Sequence, residues 1–88
     1  FQKLSMAIVG ADAVTAAFVV NGSPSLELAT SIDGRAPFYV VSERIKFAHE
    51  VEVQPGFDRV PIELVAGIIT EDGVIAPRTL DRWINTGR

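Results

Sequence analysis

The stretch Met6-Ala7-Ile8-Val9-Gly10-Ala11-Asp12 does most to limit what this chain can become. Four apolar residues in a row end in a small-residue turn that delivers an acid. An uninterrupted apolar run bounded by glycine is the pattern of a strand buried on both faces, as in a parallel sheet with layers on either side. In open sheets of that kind ligands settle beyond the carboxyl ends of the strands. Asp12 falls at that edge.

The rest of the chain supplies partners for such a strand. The run "AVTAAFVV", residues 13–20, is β-branched and apolar and reads as a short strand or hairpin arm. After it, Asn21-Gly22 make a turn, Ser23 suits an N-cap and Pro24 suits the first helical position, where its missing N–H would be unpaired anyway. Leu26, Ala29 and Ile32 recur at helical spacing and Gly34 is placed to stop the helix. "APFYVVS", residues 36–42, is a second buried strand. "HEVEV", residues 49–53, alternates as an exposed strand would, and Pro55-Gly56 mark a loop. The spacing of Ile62, Val65 and Ile69 with Leu64 and Ile68, behind Pro61 and Glu63, predicts a helix over residues 61–73. "VIAP" then reads as a brief strand halted by Pro77, and the last residues as a turn of helix pinned by Trp83. This order argues for an α/β fold: a small Rossmann-like, mostly parallel sheet with flanking helices.

At 88 residues the chain has room for one small domain with a modest core. Because it opens on "FQKLS" without an initiator or a signal-peptide pattern, it is expected to be the C-terminal fragment of a longer protein. Several chemistries are excluded by composition. There is no cysteine, hence no disulfide, thiolate site or cysteine nucleophile, and one histidine, His49, is too few for a histidine-based zinc site. No metal and no cofactor is implied. The net charge is −3 and no Lys/Arg cluster exists, so no nucleic-acid partner is expected. No apolar run is long enough to cross a membrane as a helix.

Two readings stand for Asp12: a functional acid on a concave rim, or a cap for the turn that follows its strand. The Asn21–Ser25 turn is either a phosphate seat at a helix entrance or an ordinary capped helix. Glu43, Arg44 and Lys46 also follow a strand's carboxyl end, where a solvated charge run is the plainer account. Asp58 is read as a structural cap acting from two residues before Val60.

Five motifs in order, "VGADAVTA…VVN", "LELA", "PFYVVSERIKF", "FDRVP" and "IITEDGVIAP", resemble the C-terminal domain of the translation initiation factor 2B regulatory-subunit family. That family also contains the ribose-1,5-bisphosphate and methylthioribose-1-phosphate isomerases. The resemblance implies a Rossmann-like sheet with ligands at its carboxyl edge. From the isomerase branch it assigns Asp12 as a catalytic acid/base acting with a cysteine, which would lie upstream of Phe1. It assigns Asn21 and Ser25 to substrate binding. Gly22 stands where the family carries a phosphate-gripping lysine, and Val60 where it carries a capping threonine. The resemblance therefore implies a non-catalytic, initiation-factor-2B-like domain acting through protein–protein contacts, with a phosphorylated sugar or nucleotide as the ligand it would sense. The alternative is the C-terminal part of a sugar-phosphate aldose–ketose isomerase with the rest of its site upstream; this chain alone is no enzyme. A cytoplasmic location and a protein partner or homo-oligomer are also implied.

Overall fold

The computed structural model describes residues 6–86, so the opening "FQKLS" lies outside the described residues. These form seven strands and two helices in the order β1 (Ala7–Gly10), β2 (Ala13–Val14), β3 (Phe18–Gly22), α1 (Ser25–Ile32), β4 (Phe38–Val41), β5 (Phe57–Pro61), β6 (Gly67–Thr70), β7 (Gly73–Ile75) and α2 (Leu80–Thr86). Three short 3-10 turns join them at Arg44–Lys46, Ile62–Leu64 and Pro77–Thr79.

Four of the strands make a sheet in the order β1-β4-β6-β7. The first two pairings are parallel, with Ala7 against Phe38 and Val40 against Ile68, and β7 returns antiparallel through Ile68 against Ile75. This is the small, mostly parallel sheet that the apolar runs predict. A second sheet, β2-β3-β5, is antiparallel throughout. Its hairpin is closed by Thr15, whose hydroxyl accepts from the backbone N–H groups of Ala17 and Phe18 and donates to the Phe18 carbonyl. "AVTAAFVV" is thus both arms of a hairpin rather than one.

The core lies between the two sheets. Val14, Val19 and Val60 from the antiparallel sheet meet Phe38, Val40 and Ile68 from the parallel one, with Ala29 and Ile32 of α1 and Leu80 and Ile84 of α2 closing the ends. Phe38, Ile68 and Leu80 are the largest side chains to be fully buried. At about 1.5–3 kcal/mol for each such burial, this cluster carries the fold.

The helix expected over residues 61–73 does not form. In its place the chain runs as the end of β5, a 3-10 turn, β6 and β7. The residues responsible are β-branched: Ile62, Val65, Ile68, Ile69 and Thr70 lose side-chain freedom in a helix and fit a pleated surface. Gly67 adds to this, because the Tyr39 ring of the neighbouring strand lies against it. Apolar residues three and four apart also occur in buried strands, where every position is apolar and periodicity loses its meaning. The "HEVEV" segment forms no strand either; residues 50–54 carry no regular structure. Pairing them would need a free sheet edge beside them, and β5 uses the available edge of β3.

Candidate functional site

The carboxyl ends of β1 and β4 lie side by side, because Gly10 is in register with Val41 and the Ala11 N–H donates to the Val41 carbonyl. Beyond Gly10 the chain leaves the parallel sheet and enters the hairpin. Asp12 sits at that junction, its N–H donating to the Val20 carbonyl at 2.7 Å. Its side chain is exposed. One residue further along β3 stands Asn21, so this backbone bond brings Asp12 beside the Asn21 turn.

Asn21 and Ser25 are themselves joined. The Asn21 Nδ2 donates to the Ser25 hydroxyl at 2.9 Å, and that hydroxyl donates to the Gly22 carbonyl at 2.8 Å. Ser25 is almost fully buried, so its oxygen fixes the entrance to α1. Asn21 keeps its carbonyl oxygen for another partner. Asp12 and Asn21 therefore share one rim, with Ser25 beneath it.

The entrance to α1 is capped in a way the sequence does not suggest. Pro24, not Ser23, occupies the N-cap position and no local side chain caps the helix. The carboxylate comes from Asp58 on β5, which accepts the Leu26 N–H at 3.0 Å. Asp58 is indeed a cap, but for a helix more than thirty residues earlier in the chain. Pairing of Asn21 with Asp58 across β3 and β5 delivers it there. An acid at a helix N-terminus satisfies an orphan donor and complements the helix dipole.

Arg44, at the carboxyl end of β4, is built into the scaffold. Its guanidinium pairs with Asp72 at 2.9 Å and lies 4.5 Å from the centre of the Trp83 ring, while its N–H donates to Glu71. It ties the loop after β4 to the β6–β7 turn and to α2. Glu43 and Lys46 are exposed on either side, and His49 lies exposed in the loop beyond. A groove of about 400 Å³ lined by Asp33, Arg35, Glu63 and Val65 opens at the amino ends of β4 and β6, away from Asp12. Among the described residues no group of three or more His, Cys, Asp or Glu is placed to hold a metal ion. No described helix is long and apolar enough to cross a membrane.

No family model matches the sequence. A curated relative from Pyrococcus furiosus, the putative translation initiation factor eIF-2B subunit 2-like, is 39% identical over 96 residues, covering 86% of this chain. The counterpart of the same name in Pyrococcus abyssi is 33% identical over the same span. The chain belongs to the translation initiation factor 2B-like family. It spans about a third of the length of these curated relatives, 35% of each. Among solved structures, the translation initiation factor eIF-2B of Pyrococcus horikoshii superposes with a TM-score of 0.70 at 34% identity, over 83% of this chain and 34% of its own. The 5-methylthioribose 1-phosphate isomerase of that organism shares the fold, with a TM-score of 0.80 over 97% of this chain and 33% of its own, at 20% identity.

For this initiation-factor-2B-like chain, the two features hardest to reach from sequence are the Asp58 cap and the Arg44 clamp. The acid of "FDRVP" and the arginine of "VVSERIKF" were visible as charges inside apolar motifs. Their partners were not, because each lies on an element brought near only by the tertiary fold.

Proposed function

We propose that this initiation-factor-2B-like chain is a non-catalytic domain that works through protein–protein contacts and senses a phosphorylated metabolite at the rim formed by Asp12, Asn21 and Ser25. The observation that carries the reading is the state of the α1 entrance. A phosphate gripped firmly enough for catalysis would need free N–H groups and a nearby cation at that entrance. The Leu26 N–H is already accepted by the Asp58 carboxylate, residues 10–34 contain no Lys or Arg, and Arg59, paired opposite Val20, has its guanidinium over the Phe18 ring. Such an edge has no anchor strong enough to hold a sugar phosphate through proton transfer. Moving a proton between adjacent carbons takes an acid, a base and a phosphate grip; Asp12 supplies one of these.

The isomerase reading draws on one observation, the backbone bond that sets Asp12 beside Asn21. The two readings separate in one experiment. The chain is titrated with ribose 1,5-bisphosphate, methylthioribose 1-phosphate, AMP and inorganic phosphate while its thermal unfolding is followed. A ligand present at a hundred times its Kd adds about 2.7 kcal/mol of stability. The expected result is a shift with an organic phosphate, lost in Asp12→Asn, and no conversion of either sugar phosphate by NMR. Conversion that disappears in Asp12→Asn would overturn the non-catalytic reading in favour of the isomerase. Absence of any shift would remove the metabolite from the proposal for this chain on its own.

A further inference from the structure

Val19 and Val20 are neighbours in β3 and both are buried, yet a strand turns successive side chains to opposite faces. Val19 points with Val14 and Val60 into the core between the two sheets, and that core cluster contains neither Val20 nor Ala13. Register puts Ala13, Val20 and Arg59 together on the outer face of the antiparallel sheet, with Phe18 and Pro61 in one flanking row and Gly22 and Phe57 in the other. Thr15, one residue beyond β2, turns the same way as Ala13. Ala13 is 9% exposed, Thr15 3% and Val20 4%, whereas Phe57 is 40% exposed, and Arg59 and Pro61 are exposed with it. Something therefore lies over the β2–β3 half of this face and leaves the β5 half open.

The path of the chain identifies the cover. Phe47 bridges Val14 in the parallel sense and the Ala48 N–H donates to the Val14 carbonyl, so the chain leaves the outer edge of β2 heading toward the hairpin turn. It re-enters the sheet at the other edge and the other end. Gln54-Pro55-Gly56-Phe57 form a type II turn, closed by the Phe57 N–H on the Gln54 carbonyl, with Gly56 at φ 89°. The Ser23 N–H then fixes the Gly56 carbonyl. Residues 49–53 must cross from one edge to the other. The inner face is filled by the parallel sheet and the two helices, so they cross the outer one. The alternation of "HEVEV" serves this crossing: Val51 and Val53 are half-buried while Glu50 and Glu52 are exposed. Little else holds the segment, for among the described residues positions 49–53 make no backbone hydrogen bond.

We propose that residues 49–53 are a strap that opens and closes over the outer face of the antiparallel sheet while both sheets stay folded. Ordering the backbone costs chain entropy at every residue, and two half-buried valines without a ladder of hydrogen bonds offset only part of it. Segments with few buried contacts and no backbone pairing are the ones that open locally. The anchors confine the opening: Ala48 stays on Val14, and Gly56 stays on Ser23, so the Asp58 cap on α1 is undisturbed. Opening uncovers Ala13 and Val20 beside Phe18, Phe57 and Pro61. The outer face then becomes one continuous apolar surface carrying the Arg59 guanidinium, which already lies 5.1 Å from the centre of the Phe18 ring. None of this depends on what the Asp12 rim binds.

The test is digestion of the native chain with glutamyl endopeptidase, the fragments being identified by mass spectrometry. Cleavage after Glu50 and Glu52 is expected to be at least about tenfold faster than after Glu27, Glu63 or Glu71, which are also exposed. It should respond little to low urea, because a local opening exposes little surface. Val51→Ser/Val53→Ser should speed strap cleavage at least about fivefold, since cleavage tracks the open population. The amides of Val19 and Val60, paired across β3 and β5, should stay protected from hydrogen exchange in that variant. Val20→Ser should act in the same way from beneath the strap, while Val19→Ser, on the core face, should speed cleavage at every site. One common rate at all five glutamates would overturn the proposal, because the segment would then open only with the whole fold. So would strap cleavage left unchanged by Val51→Ser/Val53→Ser. A Val20→Ser variant that loses Val60 protection as fully as Val19→Ser does would also overturn it, because Val20 would then belong to the core.

Discussion

Replacing Gly67 by alanine separates two conformations of residues 61–73 by the sign of a stability change. In β6 a β-carbon at this position would lie 2.9 Å from Tyr39 Cε1, 3.0 Å from Val74 Cγ1 and 3.2 Å from Tyr39 Cδ1. Carbon atoms in contact prefer about 3.5–4.0 Å, so the tyrosine ring must move. Inserting a methyl group into a filled space of this kind costs about 1–3 kcal/mol. Restricting the unfolded chain returns about 0.4–1 kcal/mol. The net expectation is a loss of about 1 kcal/mol, read as a melting temperature lower by about 4–8 °C in a domain of this size. Had the segment been the amphipathic helix that its spacing suggests, the same change would have stabilised it by about 1 kcal/mol. Circular dichroism melts of the parent, Gly67→Ala, Tyr39→Val and Gly67→Ala/Tyr39→Val decide the matter. Read against Tyr39→Val alone, the double variant should lose less than Gly67→Ala does in the parent, because the ring that most obstructs the new methyl group is gone and only Val74 still crowds it. A higher melting temperature for Gly67→Ala alone would refute both the strand and the Tyr39 contact.

Other expectations follow from single contacts. Asp58→Ala should lower stability by about 1 kcal/mol in urea unfolding, the usual value of an N-terminal cap, while Asp58→Asn should retain most of it; equal losses would mean that charge rather than the hydrogen bond matters. Ile68→Ala, at a fully buried position between the two sheets, should cost about 2–5 kcal/mol, and a cost below 1 kcal/mol would contradict the packing described. Arg44→Lys keeps a cation but loses the planar group stacked on Trp83. Since Trp83 is the sole tryptophan, its fluorescence emission should shift while the fold persists, and an unchanged spectrum would show that the ring does not sense Arg44.

The parts of this fold that were legible in sequence are those whose cause is local. β1 and β4 announce themselves as apolar runs ended by a small-residue turn or a polar loop, and α1 by its turn, its proline and its apolar spacing. The parallel sheet and its carboxyl edge follow from these. What was hidden depends on neighbours far along the chain. Residues 61–73 carry a helical spacing that their β-branched side chains and the crowding at Gly67 override. Asp58 stands beside Val60 in sequence, yet it caps Leu26 because β5 pairs with β3. Within the candidate site, the acid and the asparagine could be picked out by type and by family resemblance. That Ser25 is spent on the Gly22 carbonyl, and so supports Asn21 from below, needed coordinates.

The pairing of Val19 with Val60 has a consequence for how the chain assembles. β2 and β3 are joined by a turn and form a hairpin on their own, as do β6 and β7, but β3 waits some forty residues for β5, and β1 some thirty for β4. Closing loops of that length precedes any reward from the contacts they bring, which makes such topologies slow to fold. During synthesis the first hairpin emerges with one edge unpaired, and the sheet that opposes its apolar inner face lacks β6 until residue 70 has left the ribosome. The first hairpin thus waits for its partner strands while most of this region is synthesised, and its vulnerability to aggregation is greatest in that interval.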